Sequence, residues 1–551
     1  MSYAVGTRTE ILGILTCTSP LHVGGWDSTA DADLAIARDG TGRPCIPGTS
    51  LAGALRAYLA GTDAFRPYGP AVLADLFGHV VPGSRIKGSP SRLRIDDAHL
   101  LGDPAVQVRD GVGIDRRSGS AAAGFLYTRQ VLPAGTRFAF RMLADTPTAA
   151  SSTAYPGGWA ALIRDAVDAV VAGLTHTRVP LGANRGRGHG RTSLGEITVR
   201  TTDLSEPAGL IAWLTGTIPP AGAAPAAAPA DGQLHVTVTW QPANPLLVRD
   251  SVAGTVVDTI PLTDTHADGN VRLLLPGSSI RGAIRAHAER IMRTLTRQDA
   301  PADLGDALLQ PPAGVDVLFG AAPTSRDHDP VTAHSGRRGA VAVDDCHSTG
   351  HVTTSQWTDV VTTRPAHVPA AANRAEEGDA RGQRNVERDA ARTVLRDRLQ
   401  QLNEQFTLTV SDHVAIDRWT GGAGDHRLFS ALDPAATVTW EPIRIRIDLA
   451  RLHRAADRQP HSAVLALPLL LLLLRDLRDG WLTLGYGGTR GRGHLTVTGV
   501  TFDGAGLPAG WQHLTGRTLD DVLTDPPPEV TDAMTRWAHT FDRPDERGAA
   551  A

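Results

Sequence analysis

The sequence predicts an α+β protein in which one ferredoxin-like unit, a sheet of the split β-α-β type, is present twice. Four motifs recur in the same order along the 551-residue chain, which is long enough for several domains. Strand-like and helix-like segments also alternate without the regular order of a parallel sheet. The predicted strands are residues 10–18, 92–95, 137–143, 195–200, 235–240 and 443–449, and the predicted helices are residues 50–60, 158–174, 279–294 and 463–477.

The recurring motifs form four pairs whose partners lie 229, 242, 302 and 305 residues apart. Four matches in one order exclude chance similarity. The offset between the copies rises from 242 residues at the second pair to 302 at the third, which indicates an insertion between the second and third motifs of the second copy. The pairs are RPCIPGTSLAGALRAYL (43–59) with RLLLPGSSIRGAIRAHA (272–288), LFG (76–78) with LFG (318–320), VGIDRRSG (112–119) with VAIDRWTG (414–421), and PLGANRGRGHG (180–190) with LTLGYGGTRGRGHL (482–495).

These spacings define the predicted domains. Residues 369–406, within the insertion, are charged with apolar residues at helical spacing, which predicts a solvated helix. DPPPEV (525–530) and the charged tail that follows it are expected to be peripheral. The predicted order is a first domain (1–202), a helix and Pro/Ala-rich linker (203–232), a second domain (233–505) with an insertion near 345–406, and a C-terminal extension (506–551).

Composition indicates a soluble, reduced and cytoplasmic protein. Apolar residues make up 41% and charged residues 20%, which excludes a disordered chain. The three cysteines lack CxxC spacing, which excludes a disulfide framework and a cysteine-based zinc site. The longest apolar run, residues 463–474, contains Pro468 and is expected to be too short to cross a membrane. Only Lys87 among the 54 cationic residues is lysine, and arginine is the better phosphate ligand.

Two loops rich in arginine and glycine are candidate phosphate-binding segments. Glycine lets backbone approach a polyanion closely, and arginine offers bidentate contacts to phosphate. Each loop follows a predicted helix and precedes a strand, the reverse of a dinucleotide-binding fingerprint. The candidate RNA-binding residues are Arg185, Arg187 and His189 in the first loop and Arg490, Arg492 and His494 in the second.

The PGTS and PGSS segments predict two helix starts with a serine or threonine at the N-cap. Free backbone amides at a helix N-terminus attract phosphate, and an arginine follows within two turns. The candidate residues are Ser50 and Arg56 in the first copy and Ser279 and Arg285 in the second.

Acidic stretches precede both helices, with Asp33 and Asp39 six residues apart in the first copy and Asp258 and Asp264 in the second. Beside RNA, a loop carboxylate can act as a base toward a 2′-hydroxyl or hold a divalent cation. Aspartate is also a common turn former. Spacing alone does not choose among these roles.

Together, the helix starts, the LFG and IDR motifs and the glycine-rich loops resemble the RAMP superfamily. More narrowly, they resemble the backbone subunits of type III CRISPR effector complexes, the Cas-seven-like group. PLHVGGWD (20–27) and LGYGGTRGRG (484–493) are close to that family's sequences. The resemblance covers residues 8–200 and 235–505. It implies two fused RAMP domains, each RRM-like with a projecting thumb hairpin near residues 114–127 and 416–429.

The resemblance also implies a function. Such subunits line up along a guide crRNA and grip its backbone through the helix start and glycine-rich loop, while the thumbs flip out nucleotides of the target RNA. A loop aspartate then supports metal-dependent cleavage by 2′-hydroxyl attack. The implied catalytic residues are Asp258 in the second copy and Asp33 in the first, where Asp31 is a second candidate for the same position. The implied cofactor is a divalent metal ion, Mg²⁺ or Mn²⁺. The implied partners are guide crRNA, target RNA and other type III subunits, with no membrane.

Two alternatives remain open from the sequence. The first is a guide-binding scaffold of the same complex in which the aspartates are inert. The second is a guide-processing endoribonuclease of a related RAMP branch that works by metal-independent acid–base chemistry. A histidine near the start of the fold is the hallmark of that branch, and His22 is the candidate.

Overall fold

The structure is a computed structural model that describes residues 4–25, 28–29, 31–62, 65, 68–69, 71–80, 88–148, 155, 157–217, 221–222, 232–252, 254–323, 336–363, 377–402 and 406–541. Several predicted features lie wholly or partly outside these residues. They are the end of PLHVGGWD (26–27), most of the Pro/Ala-rich linker (218–220, 223–231), parts of the insertion (364–376, 403–405) and the C-terminal tail (542–551).

The chain divides into two compact units. The first comprises Met1–Gly111, Leu126–Arg185 and His189–Asp231, and the second comprises Val112–Phe125, Gly186–Gly188 and Gly232–Ala551.

The first half of the chain contains the elements of one ferredoxin-like fold. Its strands are β1 (Val5–Cys17), β2 (Cys45–Ile46), β3 (His79–Val80), β4 (Gly88–Ser89), β5 (Leu93–Ile95), β6 (Ala98–Leu101), β7 (Gln107–Ile114), β8 (Ala121–Val131), β9 (Arg137–Pro147), β10 (Thr192–Asp203) and β11 (Ala221–Gly222). Its helices are α1 (Gly48–Leu59), α2 (Ala71–Phe77), α3 (Gly158–Thr175) and α4 (Pro207–Thr215).

The main sheet of the first unit has the order β11-β10-β1-β9-β6-β2, with β5 also paired to β9. Strand β1 lies between β9 and β10 and is antiparallel to both, as the split β-α-β arrangement requires. Leu51 and Leu55 of α1 and Leu162 and Val170 of α3 are fully buried in the core of this unit. Strands β7 and β8 form a separate hairpin.

The second half contains the same elements with additions. Its strands are β12 (Gln233–Pro242), β13 (Thr263–Thr265), β14 (Asn270–Leu275), β15 (Gly320–Ala321), β16 (Arg337–Arg338), β17 (Val341–Val343), β18 (Cys346–His347), β19 (Val352–Thr353), β20 (Leu408–Ile416), β21 (Ala423–Pro434), β22 (Ile443–Asp448) and β23 (Leu495–Asp503). Its helices are α5 (Gly277–Thr296), α6 (Leu304–Leu309), α7 (Val315–Phe319), α8 (Thr354–Val361), α9 (Glu377–Gln400), α10 (Leu449–Arg458), α11 (Pro460–Val464), α12 (Ala466–Arg478), α13 (Leu519–Thr524) and α14 (Pro528–Phe541).

The main sheet of the second unit has the order β17-β22-β12-β23. Its first strand, β12, is again central and antiparallel to both neighbours. Strands β20 and β21 form a hairpin that corresponds to β7–β8, and the IDR motif lies at the turn of each hairpin. The predicted fold class, two tandem α+β units of the split β-α-β type, is therefore confirmed.

The C-terminal extension is part of the second core, so the prediction of a peripheral segment was wrong. Leu514, Leu519, Val530 and Trp537 are buried in the same apolar cluster as α12. Helix α14 buries Val530, Ala533 and Trp537, and its Val530 and Met534 line the same pocket as Leu471 and Leu472 of α12. The extension therefore contributes to the stability of the second domain.

The segment Pro460–Arg478 is long and apolar enough to cross a membrane by length and composition, contrary to the expectation from Pro468. The proline falls in the first turn of α12, where a missing amide does no harm. Most of the segment is buried, including Leu469 and Leu473. A core helix passes the same test, and these contacts place it in the core of the second unit.

Candidate functional site

Asp33 and Asp258 make the same contact in their respective domains. The Oδ2 atom of Asp33 accepts hydrogen bonds from the backbone N–H of Thr128 at 2.8 Å and from its hydroxyl at 3.0 Å. The Oδ2 atom of Asp258 accepts from the backbone N–H of Ser430 at 2.7 Å and from its hydroxyl at 3.0 Å. Thr128 and Ser430 lie in β8 and β21, the second strands of the two hairpins.

The backbone around each aspartate repeats as well. Leu34 forms a parallel bridge with Arg129, and Thr259 forms a parallel bridge with Ala431. Each aspartate therefore lies one residue before an isolated parallel bridge to the second strand of its hairpin. This geometry makes the two aspartates structural equivalents, as the resemblance implied from sequence.

Each carboxylate is held in this contact through one of its two oxygens. Both aspartates are exposed, and the hydrogen bonds from Thr128 and Ser430 all go to Oδ2 rather than to Oδ1. The backbone and hydroxyl hydrogen bonds from Thr128 lower the pKa of Asp33, because they favour the charged form. Asp31 is exposed and does not share the contact with Thr128.

The second aspartate of each pair has a structural role. Asp39 organises a turn, since its Oδ1 atom accepts from the backbone N–H and hydroxyl of Thr41 at 2.9 and 2.6 Å. These bonds lower the pKa of Asp39 to about 2. Asp264 is buried and lies 2.9 Å from Nε2 of His347. Both carboxylates therefore stabilise the local structure.

The prediction that serine or threonine caps the two helix starts was wrong. The N-cap residues are Pro47 and Pro276, and the backbone N–H of Ser50 and Ser279 donates to their carbonyls at 2.9 Å. The serines therefore lie inside the first turn, and both are half-buried.

Each helix start already holds a carboxylate. The first amide of α1, at Gly48, donates to Oδ1 of Asp97 at 2.7 Å, and the first amide of α5, at Gly277, donates to Oδ1 of Asp345 at 2.8 Å. A carboxylate is favourable at a helix N-terminus for the same reason as a phosphate. At least one amide at each start is therefore not available to RNA.

The arginines that follow the helix starts differ between the copies. Arg56 is exposed. Arg285 is 9% exposed, and its Nε donates to Glu289 at 2.8 Å along the helix. Arg56 is thus accessible to a ligand, whereas Arg285 is engaged in an intrahelical ion pair.

In the first Arg-Gly loop, defined as residues 180–190, the three candidate side chains have different environments. Arg187 is exposed, and Arg185 is half-buried with Nη1 at 3.3 Å from the carbonyl of Pro180. His189 is 6% exposed, with Nε2 at 3.4 Å from Nη1 of Arg109 on β7. Arg187 is the side chain most accessible to a polyanion.

In the second Arg-Gly loop, defined as residues 482–495, Arg490 is exposed and lies over the ring of Tyr486, 5.2 Å from its centroid. Arg492 is 9% exposed and bonded to the buried carboxylate of Asp433. His494 is half-buried, and its backbone N–H donates to Asn244 at 2.9 Å. Arg490 is therefore positioned for a ligand, and Arg492 is positioned to hold the hairpin.

The glycines explain the shape of these loops. Gly190 and Gly493 have φ values of 87° and 71°, and a Cβ atom at either would lie 2.1 or 2.0 Å from the carbonyl oxygen of Leu181 or Leu484. The close approach at these two positions is therefore to the loop's own backbone rather than to a polyanion.

Sequence reasoning missed Arg281, in the second turn of α5. Its Nη2 donates to the carbonyl of Phe319 at 2.7 Å and its Nε to that of Val341 at 3.1 Å. Burial and the guanidinium groups of Arg187, Arg285 and Arg338 lower its pKa to about 9. A comparison of the two motif copies could have identified this residue, because the second copy has arginine at the position where the first has Ala52.

His22 does not have the environment of a catalytic acid or base. It is 3% exposed, its Nδ1 lies 2.7 Å from the carbonyl oxygen of Gln130, and burial lowers its pKa. It is a core histidine, so the metal-independent processing alternative loses its candidate residue.

The donor set at the aspartates suits a cation that is completed by substrate. Within the described ranges, no group of three or more His, Cys, Asp or Glu residues can hold a metal ion. Asp33 and Asp258 each offer one carboxylate whose Oδ1 atom is not used in the contact with Thr128 or Ser430. Mg²⁺ is commonly held by one or two carboxylates together with substrate phosphates and water, and each site fits that pattern.

A family profile described as the RAMP superfamily matches residues 14–193 and 260–496, more than half of the chain. The chain belongs to the RAMP superfamily. This superfamily includes CRISPR-associated RNA-binding proteins. The matched segments of this RAMP protein contain both Arg-Gly loops and Asp33, and the second begins just after Asp258. The curated proteins contain no match to the chain.

Proposed function

We propose that this chain is a tandem backbone subunit of a type III CRISPR ribonucleoprotein. In this proposal it binds the backbone of a guide crRNA and cleaves complementary target RNA at Asp33 and Asp258. The observation that carries the proposal is the duplicated carboxylate at the base of each hairpin, held through one oxygen by Thr128 or Ser430. Two equivalent sites in one chain suit a polymeric substrate with a regular repeat.

Guide binding is supported by the exposed arginines of the two Arg-Gly loops. Arg187 and Arg490 are exposed, and Arg490 and Tyr486 together present a cation and an aromatic ring. Arginine and aromatic rings are the groups that hold single-stranded RNA through phosphates and bases. Arg56 is a further exposed arginine of the first copy.

The cleavage step is attack of a target 2′-oxygen on the adjacent phosphorus. The P–O5′ bond breaks, the 2′-proton passes to solvent, and the departing 5′-oxygen takes a proton from solvent. The products are a 2′,3′-cyclic phosphate and a 5′-hydroxyl. A regular helix holds the 2′-oxygen away from in-line geometry, so a hairpin that unstacks one nucleotide makes the attack possible.

Asp33 and Asp258 act in this step as fixed anions. The lowered pKa of Asp33 makes it a weak general base at neutral pH, which favours the cation-holding role over proton abstraction. The Oδ1 atom of each aspartate would hold Mg²⁺ or Mn²⁺ together with target phosphate oxygens. When bound, the cation supplies positive charge to the phosphate that becomes more negative during attack.

The alternative is a guide-binding scaffold with inert aspartates. Among the described residues, neither aspartate belongs to a group of three or more His, Cys, Asp or Glu side chains that could hold a metal ion, and this favours the alternative. Both functions share the guide-binding surface and differ only in the role of the carboxylates.

The deciding experiment uses the complex assembled with a defined guide and an end-labelled complementary target RNA. We expect two cleavage positions, with Asp33→Ala removing one and Asp258→Ala the other. Asp268→Ala, which removes an exposed turn carboxylate of the second domain, is the matched control and should retain both cuts. Unchanged cleavage by the double Asp33→Ala, Asp258→Ala variant, with guide and target still bound, would establish the scaffold instead.

A further inference from the structure

We propose that Asp433 and Arg492 are positioning residues that couple the second Arg-Gly loop to Asp258. This inference rests on the proposed function, because it concerns the cleavage step at the second site. The first domain lacks the pair, so the coupling belongs to one of the two sites only.

The ion pair is buried and has several bonds. Nη1 of Arg492 donates to Oδ1 of Asp433 at 2.8 Å, and Nη2 donates to Oδ2 of the same carboxylate. Nη2 also donates to Nε2 of His413 at 2.8 Å, while the hydroxyl of Ser411 donates to Asp433. Asp433 is 2% exposed and Arg492 is 9% exposed. One end of the second loop is therefore fixed to both strands of the hairpin.

Strand β21 connects this ion pair to the aspartate. Asp433 lies three residues after Ser430, whose N–H and hydroxyl hold Asp258. Between them, the N–H of Leu432 donates to the carbonyl of Thr259 at 2.9 Å. The segment 430–433 is thus bonded at one end to the Asp258 loop and at the other end to Arg492. A shift of the Arg-Gly loop would move the strand that orients the carboxylate.

The first domain is built differently at the same place. Counted from the IDR motif, the positions of Ser411, His413 and Asp433 are occupied there by Arg109, Gly111 and Val131. Val131 is fully buried and cannot pair with an arginine. At the first loop, the Nε2 atom of His189 lies 3.4 Å from Nη1 of Arg109 on β7.

Removing one partner of a buried ion pair leaves an unpaired charge in the interior. Asp433→Asn and Arg492→Gln each do so, whereas the double variant leaves two neutral polar groups. The double variant therefore tests the coupling where a single variant fails to fold. Asp412→Asn is the matched control, because Asp412 is an exposed carboxylate of the same hairpin that pairs with Arg392 of helix α9.

The test measures single-turnover cleavage by the guide-loaded complex, with each cut quantified on one labelled target. In all three variants we expect the second cut to slow by about tenfold or more, with the first cut, guide content and target affinity unchanged. Arg492→Lys, which keeps the charge, should recover part of the rate. Asp412→Asn should leave both cuts unchanged.

Two results would overturn the coupling while leaving the proposed function intact. One is loss of the second cut in Asp258→Ala with retention of that cut within twofold in Asp433→Asn and in the double variant. The other is an equal slowing of both cuts together with loss of guide, which indicates a purely structural pair. A second cut that survives Asp258→Ala would instead refute the proposed function, and the coupling with it.

Discussion

Asp258 accepts two hydrogen bonds through one carboxylate oxygen from Ser430, a residue 172 positions later in the chain. Asp33 repeats this relationship with Thr128 across 95 positions. The separation has nearly doubled, yet the atoms involved and the backbone bridge beside them are the same. Because the contact is the same although the number of residues between its partners differs, we expect cleavage at each site to require these hydrogen bonds to the aspartate.

Ser430→Ala and Thr128→Ala each remove one of the two hydrogen bonds to an aspartate. We expect each change to slow the cut at its own domain by about tenfold, since a hydrogen bond to a charged group contributes about 1.5–3 kcal/mol. The other cut in the same molecule serves as the internal control. The measurement is the ratio of the two products in a single-turnover reaction, and a ratio that stays constant in both variants would contradict the prediction.

Replacing Arg187 and Arg490 by glutamine should weaken guide binding and reduce its salt dependence. Each phosphate contact on a single strand contributes about 0.7 to the slope of log affinity against log salt. We therefore expect the slope for the double variant to fall by about 1–1.5. Arg94→Gln, which removes an exposed arginine of the first sheet, is the control and should leave the slope unchanged.

The stability of the second domain should decrease as the pH rises from about 6.5 toward 9. Burial alone would lower the pKa of His347, but hydrogen bonds to Asp264 and Glu441 outweigh it and raise the pKa to about 9. The folded state therefore holds this proton more tightly than the unfolded chain does. The contribution is complete below the unfolded pKa of about 6.5 and is lost as the pH passes through about 9.

Denaturant unfolding at several pH values measures this loss, which should amount to about 1–3 kcal/mol. His347→Gln should remove most of the pH dependence in that range. His99 occupies the matching place in the first domain, lies 3.6 Å from Asp39 and is 63% exposed, so His99→Gln is the control. An unaltered pH slope in His347→Gln would show that the stability change has another origin.

Leu514→Ala should destabilise the second domain by about 2–5 kcal/mol, the usual result of truncating a buried leucine. Leu514 is fully buried in the main apolar cluster of that domain although it belongs to the C-terminal extension. The measurement is chemical denaturation followed by tryptophan fluorescence. Leu523→Ala, at a residue 39% exposed in the same extension, should have less than half the effect.

The repeated motifs were sufficient to predict the order of the elements, since a repeat in sequence order fixes a repeat in fold. They also predicted the equivalence of Asp33 and Asp258, and the structure agrees. The starts of α1 and α5 were predicted to within two residues because a proline–glycine turn followed by small residues begins a helix almost independently of its surroundings.

The sequence could not show which side chains and backbone amides are already paired within the protein, because their partners are distant along the chain. Arg492 meets Asp433 across 59 residues, and the amides of Gly48 and Gly277 meet Asp97 and Asp345 across 49 and 68. A motif shows which residue types are available, but burial and pairing decide which of them can still reach a ligand.

The insertion in the second domain has a practical consequence. It lies between β18 and β20. Its helix α9 packs on the β20–β21 hairpin through buried Leu395 and the Arg392–Asp412 ion pair. The Asp258–Ser430 contact nevertheless has the same hydrogen bonds as the Asp33–Thr128 contact of the first domain. The corresponding connection in the first domain is the short loop 102–106 between β6 and β7. A fluorescent protein or affinity module spliced into that loop should leave the Asp33 carboxylate undisturbed, which makes it a natural attachment point for tracking the assembled particle.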